Sequence, residues 1–263
     1  MITEEYKNNL LQDFNYQAYL YFNPDIRESL GFDKHLAEKH YIENGFWEGR
    51  VCNYIFKDTS QSGEYEIICS LISDRSDGFL IDVGAHNGFD LSNSYPFLMK
   101  GWSGILVEPL PSAFELLNNM YKSYEDIICL NVACSDVNGS RNLHLGSDGD
   151  LSFMSTLCED DNDWFDKNRS KVSILVKTKT LNSILEENTI NKEFKLLLID
   201  CEGHDYEVLN GINLKLSKPE LIVTENYTSN MDKHKKKHLN LLLSGYRFAA
   251  QHDCNTFWKR NWK

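Results

Sequence analysis

The chain has 263 residues, 41% of them hydrophobic and 25% charged, a globular composition with room for one large α/β domain and an appendage. Its 27 Lys and Arg against 39 Asp and Glu leave a net charge of -12, so most of the surface repels a polyphosphate backbone and nucleic acid is not an expected partner. Seven scattered cysteines without a Cys-x-x-Cys pair give neither a disulfide framework nor a zinc ribbon. With no apolar signal core in Met1 to Tyr6 and no run long enough for a membrane span, a cytoplasmic location is expected.

Residues 5 to 51 read as short helices carrying Leu10, Leu11, Phe14, Tyr19, Leu20 and Phe22, broken at Asn23-Pro24-Asp25 and resuming through Ile26, Leu30, Leu36, His40 and Tyr41. Gly45 and Gly49 mark the exit, and residues 1–58 are expected to form a small α-helical module. Over 59–263 apolar strands alternate with amphipathic helices, the pattern of a doubly wound, mostly parallel sheet. Strands are predicted at Phe79–Val83, Gly104–Glu108, Ile127–Ala133, Lys195–Asp200 and Glu220–Glu225, with helices over about 62–74, 89–100, 111–122 and 205–214. A terminal hairpin follows, with Tyr246–Ala250 and Thr256–Arg260 around Asp253-Cys254-Asn255. Residues 141–170, rich in Gly, Ser and Asp, are expected to form a long loop over the carboxyl ends of the strands, where open α/β sheets bind ligands.

The first strand runs through Asp82 into the turn Gly84-Ala85-His86-Asn87-Gly88. A dinucleotide wants Gly-x-Gly-x-x-Gly so that its pyrophosphate meets the helix N-terminus, and here Asp82 stands in place of the first glycine. A carboxylate there repels a diphosphate but suits S-adenosylmethionine, which carries an ammonium and a sulfonium. Glu108, at the end of the second strand, lies one strand-turn-helix-strand unit later, the distance at which an acid reaches ribose hydroxyls. Asn131-Val132-Ala133 with Ser135-Asp136 ends the third strand where adenine's edge is expected.

The blocks Ile81-Asp82-Val83-Gly84-Ala85-His86-Asn87-Gly88, Leu91-Ser92-Asn93-Ser94-Tyr95 and Gly101-Trp102-Ser103-Gly104-Ile105-Leu106-Val107-Glu108-Pro109 resemble the first half of the FkbM family of class I O-methyltransferases. Thr180-Leu181-Asn182, Leu198-Ile199-Asp200-Cys201-Glu202-Gly203-His204-Asp205 and Val208-Leu209-Asn210-Gly211 resemble its second half. Asp205 and Asn182 depart from the Glu and Asp more usual there. The resemblance, over residues 60 to 260, implies a Rossmann-like fold and a cofactor site of Asp82, Gly84, Ala85, Asn87, Gly88, Ser92, Asn93, Glu108, Pro109, Ala133, Ser135 and Asp200. The N-terminal stretch, through Asn23-Pro24-Asp25-Ile26, His40-Tyr41 and Glu48-Gly49-Arg50, resembles helical modules that accompany enzymes of surface-polysaccharide pathways. Together these imply a carbohydrate acceptor, either a nucleotide-linked sugar or a growing glycan; self-association into a homo-oligomer is left open.

Methyl transfer to an alcohol needs a base or a metal to manage a proton held far above neutral pH. His204 is the expected base, with Asp200 beside it; Asp200 and Glu225, at successive strand ends, are candidate ligands for Mg²⁺. His86, Glu202, His204, Glu225 and Tyr227 are the candidate acceptor contacts, and the run Lys233-His234-Lys235-Lys236-Lys237-His238 reads as a solvated helix face or a diphosphate attractor. The competing readings are an inert scaffold in glycan assembly and a nicotinamide-dependent dehydrogenase.

Overall fold

A computed structural model of the chain describes residues 4–12, 14–53, 58–73, 77–147, 149, 151–159, 168–190, 194–225 and 231–261. These form two compact units, Met1–Lys57 with Asn118–Ser123, and Asp58–Leu117 with Tyr124–Lys263. No helix among the described residues is long and apolar enough to cross a membrane.

The first unit opens with α1 (Glu4–Leu10), α2 (Tyr16–Phe22), α3 (Pro24–Leu30) and α4 (Lys34–His40), which runs into a π-helical turn at Tyr41–Gly45. The Asn15 carboxamide accepts from Gln17 and Ala18 to start α2, and Pro24 at the first turn of α3 enforces the break after Asn23. Tyr19, Leu20, Ile26, Ala37 and Tyr41 make the core, with Phe14 stacked on Tyr41 at 4.5 Å. Gly45 is obligatory because a Cβ there would lie 2.1 Å from the Tyr19 hydroxyl, which is itself 2.7 Å from His40 Nδ1.

The second unit contains α5 (Glu64–Leu71), β1 (Phe79–Val83), α6 (Tyr95–Leu98), β2 (Ser103–Val107), α7 (Pro111–Tyr121), β3 (Ile127–Leu130), β4 (Ala133–Cys134), β5 (Gly139–Gly146) and β6 (Arg169–Lys179). It continues through α8 (Leu181–Glu187), β7 (Leu196–Ile199), α9 (Asp205–Asn210), β8 (Leu221–Glu225), α10 (Met231–Leu243), β9 (Tyr246–His252) and β10 (Asn255–Arg260). The main sheet has the order β3-β2-β1-β7-β8-β10-β9. Its first five strands are parallel, while β10 and β9 close it as the expected antiparallel hairpin. The order reverses between β1 and β7, so a crevice opens at their carboxyl ends.

Three local expectations are corrected. Residues 89–94 are not helical, because the Asn87 side chain accepts from both Phe89 and Asp90 amides and Leu91 sits at φ 57; only Tyr95–Leu98 forms a turn of helix. The strand predicted to run from Ile127 to Ala133 is cut at Leu130, and Ala133–Cys134 pairs with β6 instead. The loop expected over 141–170 begins and ends in strand, since β5 pairs antiparallel with β6 and His144 bridges Thr156; the other described residues from Ser147 to Glu159 are not in strands. Polar alternation in β5 and β6 hid the strands, as both are half exposed.

Candidate active site

Strand β1 delivers Asp82 to the crevice and then turns on Gly84, at φ 88, whose α-carbon passes so close to the next strand's exit that a Cβ would lie 1.9 Å from the Asp200 carbonyl oxygen. The amides of Gly84 and Ala85 both reach the Val107 carbonyl. Asp82 is buried and accepts from the Ser94 hydroxyl at 2.5 Å; burial, opposed by that bond, pushes its pKa up to about 6. Ser94 is held by Ser92, whose oxygen also accepts from the Tyr95 amide.

Glu108 stands just past β2, buried, with one carboxylate oxygen accepting from the His86 amide at 2.9 Å and the other from the Leu110 amide at 2.7 Å. Burial raises its pKa to about 7 against those two amides, with the Asp82 charge adding a little. His86 stacks on Phe153 with centroids 3.8 Å apart, and its Nε2 is 3.0 Å from the Leu151 carbonyl. Thr156 donates to the Glu202 carbonyl, so the segment from Leu151 to Leu157 is fastened at both ends of the cleft.

Across the switch point, β7 and β8 are parallel neighbours, and carboxylate oxygens of Asp200, Glu202 and Glu225 lie within 4.8 Å of one another. Asp200 opens onto the pocket, Glu202 is half-buried at φ 50, and Glu225 is buried with its Oε2 lacking a hydrogen-bond partner. Burial and then the neighbouring carboxylates raise all three pKa values, that of Glu202 to about 9. The nearby cation is Lys237, which donates to the Glu225 carbonyl and lies 3.7 Å from Asp205 Oδ2. Asp205 itself binds the amides of Cys201 and Glu225 and so ties the two strand exits together.

His204 is buried at the start of α9, and burial pushes its pKa down to about 4, so the ring is neutral at pH 7. Its Nε2 is 3.0 Å from the Ser135 hydroxyl, which donates its own proton to Asp136, and its Nδ1 lies 3.7 Å from Glu207. The Ser135 oxygen is therefore left to accept an Nε2 proton, and both ring nitrogens are directed at protein groups.

One pocket brings together Asp82, Gly84, Ala85, His86, Ser92, Asn93, Glu108, Pro109, Ala133, Asp200, Glu202 and His204 from the sequence-predicted set. Asn87, Gly88, Ser135 and Glu225 stand behind its lining: Asn87 shapes the turn, Ser135 holds His204, and Glu225 backs the acid cluster. Tyr227 lies outside the described residues. Sequence reasoning missed Gln61 and Asn255, which also line the pocket. Asn255 faces Glu225 across the β8–β10 ladder and donates to the buried Glu64, a pairing that only a strand register could have revealed.

The described lining contains acids and no Lys or Arg, and Asn93 presents a buried Oδ1 with no hydrogen-bond partner. That donor set fits an ammonium, a sulfonium and ribose hydroxyls, and it opposes a diphosphate. A doubly wound sheet with acids at the ends of its first two strands, a glycine turn after β1, and this charge pattern fit a site for S-adenosylmethionine.

The family described as the methyltransferase FkbM domain matches residues 82–248, and the chain belongs to that family. A comparison with curated proteins finds no similar sequence. Among solved structures, the chain is similar to the methyltransferase FkbM from Methylobacillus flagellatus KT at 14% identity and TM-score 0.49, covering 96% of this chain and 57% of that one. It thus spans little more than half of that relative's length. It is also similar to precorrin-6y C5,15-methyltransferase from Geobacter metallireducens GS-15 at 12% identity and TM-score 0.43, covering 78% of this chain and 92% of that one. The N-terminal domain of human METTL16 in complex with SAH is similar at 14% identity and TM-score 0.38, covering 74% and 66% of the two chains. Likenesses at this level carry no argument about function.

Proposed function

We propose that the protein transfers a methyl group from S-adenosylmethionine to a hydroxyl oxygen of a sugar during capsular or other surface-polysaccharide assembly. The observation that carries this reading is the pair Asp200 and Glu202, backed by Glu225, on a pocket whose described lining has no Lys or Arg. Asp200, its pKa raised to about 7, can accept an alcohol's proton near neutral pH, and the amides of Gln61 and Asn255 add hydrogen bonds suited to a polyol. The same charge pattern favours a neutral glycan hydroxyl over the diphosphate end of a nucleotide sugar. The helical module's resemblance to those of glycan pathways points the same way; the hydroxyl of another small molecule is the alternative.

The bound cofactor supplies an electrophilic methyl on its sulfonium. Asp82 and Glu108, fixed by Ser94 and by the His86 and Leu110 amides, would hold the donor's cationic and ribose ends, and Ala133 and Pro109 would wall its base. Asp200 takes the acceptor's proton, while neutral His204, bonded to Ser135, keeps the wall in register. In a second version Asp200 and Glu225 would hold Mg²⁺, which takes oxygen ligands and would lower the hydroxyl's pKa.

Incubation with labelled donor and a panel of glycans and nucleotide sugars, read by mass spectrometry for a methyl gain, tests the substrate class; no gain on any sugar removes it. Asp200→Asn should lower kcat by about 10²- to 10⁴-fold with S-adenosylhomocysteine affinity nearly unchanged. His204→Ala should lower it far less; an equal fall would return the base to His204. Activity untouched by a chelator removes the metal version alone.

A further inference from the structure

Helix α10 is turned inside out. The side chains it buries or half-buries are Lys237, Leu241, Lys233, His234, Asn240 and His238, the last against Trp258 at 4.9 Å, whereas Met231, Leu239, Leu242 and Leu243 are 59%, 54%, 53% and 72% exposed. At about 100° per residue those four fall on one arc with the exposed Lys235 and Lys236 and a single acid, Asp232. Phe248 of β9, 50% exposed, packs on Trp258 at 5.8 Å, so the apolar area continues from the helix to the sheet edge. The inward polar face has a cause in Lys237, which serves the strand exits at Glu225 and Asp205. Nothing among the described residues accounts for the outward leucines.

We propose that this face, α10 with Phe248, docks the protein reversibly on an anionic bilayer surface. Leu239, Leu242, Leu243 and Phe248 together offer on the order of 400 Å² of apolar area, about half of what each partner in a stable dimer contributes. Strand addition at the β9 edge is hindered as well, because a bulge leaves Ala249 without a cross-strand partner and Arg247 projects there. A bilayer requires less area, since leucines enter the acyl boundary while lysines stay at the headgroups. The net charge of -12 does not oppose this, because at physiological salt charges beyond about 8 Å are screened and the local ones are Lys235 and Lys236 against the single Asp232. With 13 residues, α10 lies along the surface and does not span it.

Flotation of the full chain with phosphatidylcholine vesicles containing about one-third phosphatidylglycerol, against pure phosphatidylcholine, tests the inference. Binding should be confined to the anionic vesicles, fall with added salt, and weaken at least about tenfold in Lys235→Glu/Lys236→Glu and in Leu239→Gln/Leu242→Gln/Leu243→Gln. Both variants should keep the wild-type melting temperature and S-adenosylhomocysteine affinity, which separates docking from folding. Equal binding to both vesicle types, or none to either, overturns the proposal. So does light scattering that shows a dimer broken by the leucine variant, which would assign the face to a second copy of the chain.

Discussion

The two halves of the pocket treat their carboxylates in opposite ways. In the donor half, Glu108 already holds two amides and Asp82 a hydroxyl, so each acid is oriented before any ligand arrives. In the acceptor half, Asp200, Glu202 and Glu225 crowd within 4.8 Å, and Glu225 keeps a buried oxygen with no hydrogen-bond partner. The contrast separates preorganisation from stored electrostatic tension: one half is built to fit a ligand, the other to be relieved by a proton or a cation.

The hardest way to break the contrast is at the joint between the halves. Gly84→Ala places a methyl 1.9 Å from the Asp200 carbonyl at a residue with φ 88, and it should cost about 3 kcal/mol or more of stability together with cofactor binding. Thermal unfolding and calorimetry with S-adenosylhomocysteine check this; wild-type values in both would show that the joint is slack.

A smaller perturbation sharpens the acceptor half. Because the folded pKa of Glu202, about 9, lies above the unfolded carboxylate value, the folded state holds a proton that the unfolded chain releases. Its contribution is therefore complete below about pH 4.5 and is lost as pH rises toward 9. The melting temperature of the ligand-free protein should fall across that window, and Glu202→Gln should flatten the fall. An unchanged slope in the variant would remove the like-charge account.

The mildest change concerns the donor half. Ligand hydroxyls favour ionised Glu108, whose pKa stands at about 7, so S-adenosylhomocysteine affinity should rise through neutral pH with proton release. Glu108→Gln should abolish that dependence and weaken binding by about tenfold. Calorimetry in two buffers of different ionisation enthalpy reads both effects.

Much of this arrangement was legible in the residues. Asp82, Glu108 and Asp200 were placed at strand ends because apolar runs stop there, and the glycine turn supplied the order. The partners of those acids were not legible, since Ser94 reaches Asp82 only because Asn87 keeps the intervening segment from becoming helix. Likewise Asn255 meets Glu225 through an antiparallel register, and Lys237 turns inward from a run that reads as solvated. Periodicity reports which faces are apolar; it does not report which polar residue the sheet will fold against another. The neutral His204 follows chiefly from burial, and burial of a polar ring has no signature in a single sequence.

The contact of Gly84 with the Asp200 carbonyl also sets how well a reaction can be aligned. The seat of the methyl donor and the exit of the strand that carries the acceptor acids touch main chain to main chain, with no intervening side chain to change rotamer. The spacing between a donor carbon and an acceptor oxygen is thereby governed by covalent geometry and sheet hydrogen bonds, which fluctuate less than side-chain torsions. A tolerance of that kind would make selectivity a matter of which acceptor oxygen can reach a fixed point, so that the methylated position would be chosen by the acceptor's own shape.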